Sequence, residues 1–243
     1  MTSKEVPDST WSEAARPGPG AQVRRLRVVV PLAVVLAALV AGLVWWQWPS
    51  DAGSGSAPVA GTVQATVLSS KEVSAAVGET LSSETRASRP AGPLQADPPG
   101  CSVAVGPATT AVYEGGWTAF LTVVHQDSAA APEYTATQTV GRYATADQAR
   151  SAFENLSEGI GACKSAVRAA PAGGTASKWT YQVEGSTAET LLWTAAQDQA
   201  GRWSCYREAR LKSSTLLQVA VCEAGDGRTA AHSIADRIAG RVQ

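Results

Sequence analysis

The chain has 243 residues, 44% of them hydrophobic and 17% charged, with a formal net charge of −1. That length and apolar share suffice for one sizeable core in one or two domains. A charged fraction below the usual ~25% and a near-zero balance exclude the basic footprint that nucleic-acid binding needs.

Residues 1–27 are polar and interrupted by Pro7, Pro17 and Pro19, the composition of a disordered tail. Residues 28–46, VVVPLAVVLAALVAGLVWW, hold no charged side chain. As a helix rising ~1.5 Å per residue this run reaches ~28 Å, close to the ~30 Å hydrocarbon thickness of a bilayer. Arg24, Arg25 and Arg27 precede it, and Trp45, Trp46 and Trp48 close it. Arginines stay on the cytoplasmic side and tryptophans sit at the interface, which predicts a single-pass transmembrane helix with its N-terminus inside. A cleaved signal peptide has a shorter apolar region ending in small residues, unlike this one. Residues 47–66 are rich in Gly, Ser, Ala and Pro and are expected to form a flexible linker. Residues 67–243 are expected to be one extracytoplasmic domain. Beyond residue 48 the chain carries fifteen Lys and Arg against eighteen Asp and Glu, for a net charge of −3.

Within that domain Ser69 and Glu72 have capping-box spacing, Leu68 and Val73 form a hydrophobic staple, and Gly78 ends the predicted helix. A second helix is expected from Thr145, with Gln148 three residues on and Ala149, Phe153, Leu156 and Ile160 along one face, closing at Gly161. The last should run from Arg228 to Arg241 with Ala231, Ile234, Ala235, Ile238 and Val242 inward. Strand-like runs occupy 109–114, 118–126, 134–143, 177–184, 189–196, 202–211 and 216–222. Consecutive strands outnumbering helices predict an α+β domain, a largely antiparallel β-sheet with helices packed on it, preceded by the transmembrane helix.

All four cysteines, Cys101, Cys163, Cys205 and Cys222, follow the span, in a compartment that permits disulfides. Four cysteines allow three pairings. If Ser213-Ser214 is the turn between the last two strands, Cys205 stands directly opposite Cys222, within bridging range. Elimination then pairs Cys101 with Cys163, closing a loop of about 60 residues that the chain-entropy estimate values at ~4 kcal/mol, against ~3 kcal/mol for the shorter bridge.

VLSSKEVSAAVG, GCSVAV followed by AVYEGG, QTVGRYATADQARSAF, a helix closing on a cysteine, the WSCYREAR…LLQVAVC hairpin and a final IADRIAGRV occur in this order. Together they resemble the PknH-like extracellular sensor domains of actinobacteria, over essentially all of 67–243. The resemblance implies an α/β domain with a largely antiparallel sheet, two disulfides at these four cysteines, and a deep cleft for an unknown ligand. Two departures stand out: Ile160 occupies a place where the family often has Trp, and the short N-terminal tail has no room for a kinase domain. Any signal is therefore expected to pass through a partner.

Catalytic signatures are missing: no nucleophile elbow, zinc-binding helix, phosphate-binding loop or dinucleotide fingerprint is present. Neither an enzyme nor a cofactor or metal is expected. His125 and His232, the two histidines, are both expected at the surface. Trp117, Trp179, Tyr181, Trp193 and Trp203 lie in or beside strands, where core packing competes with a role as ligand platform; Arg142, Arg207 and Arg210 are either solvated or face an anion. Trp117, Trp179, Tyr181, Arg142 and Arg207 are taken as the candidate cleft residues. The expected function is a membrane-anchored sensor binding a small molecule, peptide or cell-wall fragment. The alternative is an envelope assembly module that recruits a protein partner.

Overall fold

A computed structural model describes residues 62–170, 174–198 and 200–242. The predicted tail, membrane span and all but the last five linker residues lie outside them. Among the described residues no helix is long and apolar enough to cross a membrane. Val63–Thr66, which the sequence places at the end of the linker, forms a helical turn (α1) with Val63 and Thr66 buried. It leads into Ser70–Val77 (α2), whose Ser69–Glu72 capping box and left-handed Gly78 are present as predicted.

Nine strands form one antiparallel sheet in the order β1-β3-β4-β9-β8-β7-β6-β5-β2. They are β1 Ser83–Ala87, β2 Ala96–Asp97, β3 Trp117–Gln126, β4 Thr135–Tyr143, β5 Ser165–Arg168, β6 Ser177–Ser186, β7 Thr190–Gln197, β8 Ser204–Lys212 and β9 Thr215–Glu223. Alternation along each strand sends side chains to opposite faces, and two buried clusters result. One face packs on Ser102–Val105 (α3) and Ala146–Ala162 (α4), with Phe120, Trp193, Ala209 and Leu216 from the sheet. The other packs on α1, α2 and Arg228–Arg241 (α5), with Leu121, Val123, Val140 and Leu217. Ala149, Phe153, Leu156 and Ile160 of α4 are buried as their spacing predicts, and so are Ala231, Ile234, Ala235 and Ile238 of α5.

The hairpin register is the predicted one: Cys205 pairs with Cys222 across β8 and β9. Both disulfides form, Cys205–Cys222 and Cys101–Cys163, with Cα separations of 3.9 and 5.4 Å. The second ties the start of α3 to the end of α4.

Residues 109–114 correct the sequence reading. They are not a strand but a turn with one isolated bridge at Thr109, and the apolar pattern reflects burial of Val112 and Tyr113. The Tyr113 ring lies against Gly141 of β4, where an added Cβ would sit 2.5 Å from it. Its hydroxyl accepts a hydrogen bond from Gln218 Nε2 at 2.9 Å. The short or edge strands β1, β2 and β5 carry no alternating apolar pattern and escape the sequence reading.

Candidate functional site

The face carrying α3 and α4 is not fully covered. Two adjacent rows of side chains run across it. The first passes from Tyr181 through Ala195, Cys205 and Cys222 to Thr135; the next passes from Val183 through Trp193, Arg207 and Ala220 to Thr137. Alanines, threonines and the disulfide leave the middle of these rows low, while the β6 end carries large aromatics. A cleft of about 260 Å³ results, lined among others by Trp179, Tyr181, Trp203, Thr135, Thr137 and Arg207. Ala104 and Val105 of α3 contribute to its wall, and Arg168 reaches it from β5. Trp179 and Trp203 are partly exposed, and Tyr181 is buried.

The electrostatics of this cleft are one-sided. Arg207 Nε is buried without a hydrogen-bond partner. Among the described residues no carboxylate lies within ion-pair distance of Arg207 or Arg168, and no acidic residue lines the cleft. Burial pushes the Arg207 guanidinium down to about 10; Tyr181 opposes that shift and Arg168 adds to it. Burial pushes the Tyr181 phenol up to about 12, with Arg207 and Arg168 acting in the opposite direction. At neutral pH the cleft therefore offers a guanidinium and a phenolic O–H.

The sheet's other face is the contrast. Glu208, 1% exposed, accepts from Arg210 Nε at 2.5 Å, while Arg210 Nη1 reaches Asp236 at 2.6 Å. His232 Nδ1 lies 2.9 Å from Glu208 Oε2. A cavity of about 310 Å³ beside them is lined among others by Leu192, Tyr206, Glu184, Glu208, Arg228 and His232, and Trp193 and Arg207 also contribute to its lining. Its charges are matched as well, since Arg228 binds Glu184 at 2.7 Å and stacks over the Tyr206 ring at 4.6 Å. The Arg228 hydrogen bond holds the Glu184 carboxyl below its ordinary value, against desolvation.

Of the five sequence-derived cleft residues, Trp179, Tyr181 and Arg207 come together here. Trp117 and Arg142 do not: they line a separate depression of about 520 Å³ at the β3–β4 end. Arg168, Thr135, Thr137 and Trp203 complete the cleft. Arg168 sits two residues beyond the buried Ala166 on a four-residue strand, too short to show a period. His125 corrects another expectation. It is fully buried rather than surface-exposed, with Nε2 at 3.1 Å from Gln138 Nε2 and Nδ1 at 3.4 Å from Glu84. His232 is exposed as expected, and Arg210, placed with the solvated arginines, is held in the Glu208–Asp236 network. No group of His, Cys, Asp and Glu able to hold a metal occurs among the described residues.

The family model for the PknH-like extracellular domain matches residues 58–241. Among solved structures, the crystal structure of the extracellular domain of PknH from Mycobacterium tuberculosis is similar at 27% identity and a TM-score of 0.66, covering 76% of this chain and 97% of that one. Comparison with curated proteins gives no match.

Proposed function

The chain belongs to the PknH-like extracellular domain family, and from that premise we propose that it is a single-pass, membrane-anchored sensor whose extracytoplasmic domain holds a small molecule or envelope fragment in the cleft over β4 and β6–β9. The uncharged run at 28–46 with its arginine flank supports the anchor and its orientation. The observation that carries the binding reading is the cleft itself, a low row of small side chains in an otherwise packed sheet, walled by Trp179, Tyr181 and Trp203. Its aromatic walls enclose a few polar groups, Arg207, Arg168, Thr135 and Thr137, a combination that binding sites use to hold and orient a ligand. The domain's part is recognition, with the signal passed on by a partner.

The test is thermal denaturation of the purified full chain with fractions of envelope extract. A ligand that binds the folded state raises the melting temperature by mass action. Thr137→Trp, placed at a partly exposed lining position, fills the cleft; it should leave the fold intact and abolish the stabilisation. If no fraction stabilises the chain, or if stabilisation survives Thr137→Trp, the cleft is not the site. Capture of a stoichiometric protein partner that survives the same substitution would favour the assembly reading instead.

A further inference from the structure

We propose that the cleft ligand is a small organic anion: an oxyanion, carboxylate or phosphate monoester, carried on a planar apolar body, with the oxyanion seated on Arg207 and Arg168 and the body against Trp179 and Trp203. This rests on the cleft being the binding site and adds the chemical class.

Arg207 is partly exposed in the cleft, with its Nε buried and without an acceptor, and an unpaired buried N–H is unfavourable. The chain's other arginines on this strand and on α5 have carboxylate partners. Arg210, three residues along the same strand, is matched by Glu208 and Asp236, and Arg228 by Glu184 and Asp226. Arg207 alternates with Cys205 and Ala209 on the cleft face, where no acid lines the wall. A second cation, Arg168, lines the same cleft and depresses Arg207 further. Tyr181 contributes a neutral O–H. Two arginines and a phenolic O–H thus line a cleft that holds no carboxylate, an arrangement that an oxyanion would complete. A planar guanidinium recognises carboxylate and phosphate oxygens through paired N–H donors. The partly exposed indoles of Trp179 and Trp203 and a volume of about 260 Å³ suit a single ring or short apolar group as the body.

Isothermal titration of the purified full chain with benzoate, phenyl phosphate, inorganic phosphate and the neutral isostere benzamide tests this. At least one ring-bearing anion should bind saturably below about 10 mM, at least tenfold more tightly than benzamide and than inorganic phosphate. Benzoate against phenyl phosphate decides between the two oxyanion sources. Arg207→Met should weaken that anion tenfold or more and leave benzamide unchanged, Arg168→Met should weaken it by a smaller factor, and Arg207→Lys should recover part of the loss. Circular dichroism of each variant separates lost binding from lost fold. Benzamide binding as tightly as both anions, or an Arg207→Met variant that keeps the anion preference, overturns the anionic class while leaving the cleft as the site. Binding by neither anion overturns the class too, and if Thr137→Trp also leaves extract-induced stabilisation untouched, the cleft reading falls with it.

Discussion

Arg207 and Arg210 stand on one strand, three residues apart and on opposite faces of one sheet, in opposite situations. Arg210 points into the helix-covered face, where Glu208 and Asp236 meet it. Arg207 points into the partly uncovered face, where the described residues supply no counter-charge. Both side chains are partly exposed, so position on the strand alone does not set the difference. What differs is the neighbour: α5 brings Asp236 and His232 to one face, while α3 brings only apolar residues to the rim of the other. The face under α5 matches its arginines with carboxylates, whereas the cleft face leaves Arg207 without one among the described residues.

Substitutions on the two faces should therefore separate in size and sign. Ile234→Ala, removing a fully buried side chain where α5 meets the sheet, should lower stability by about 4 kcal/mol by chemical denaturation; Thr137→Ala in the cleft should change it by about 0.5 kcal/mol or less. Glu208→Gln leaves Arg210 with one carboxylate in place of two in a buried network, and should cost about 3 kcal/mol in the same assay. Arg207→Met should act in the other direction, raising the stability of the ligand-free chain by about 1 kcal/mol, because it removes a partly covered guanidinium whose buried Nε has no acceptor.

A smaller effect comes from His125. Burial lowers its pKa below the ordinary 6.5, with Glu84 opposing and Arg86 adding to the shift. The unfolded chain then binds the proton more readily, so stability is full above about pH 6.5 and declines as pH falls toward the folded value. Melting temperature measured from about pH 7 down to about pH 5 should show that decline, and His125→Gln should flatten it. The carboxylates held below their ordinary values, Glu72, Glu184 and Asp127, act only further down, below about pH 4.5.

Local rules carried the sequence reading a long way. The capping boxes at Ser69–Glu72 and Thr145–Gln148 and the Cys205–Cys222 register follow from spacing alone, and each is present. Period two also places Arg207 on one face with Cys205 and Ala209. The same rule places His125 with Leu121 and Val123 on the buried face; its position near a strand end obscured that signal. Residues 109–114 show the converse, since a β-branched and aromatic composition marks burial as readily as it marks a strand. Strand β1 reads SETRA, polar and exposed at the sheet edge, and offers no apolar alternation to detect. The grouping of Trp179, Tyr181 and Arg207 without Trp117 and Arg142 depends on sheet order, which brings β6 and β8 to one cleft and leaves the start of β3 and the end of β4 elsewhere. Strand order is a long-range property that no local pattern encodes.

Melting the wild type and Arg207→Met side by side, first in buffer free of organic anions and then with saturating benzoate or phenyl phosphate, puts the contrast between the two faces to its sharpest trial. The substituted chain should melt higher without ligand and lower with it, so that the difference changes sign. A variant that melts lower than the wild type in both conditions by the same margin would show that Arg207 serves the fold, and would contradict a charge held in reserve for an anionic ligand.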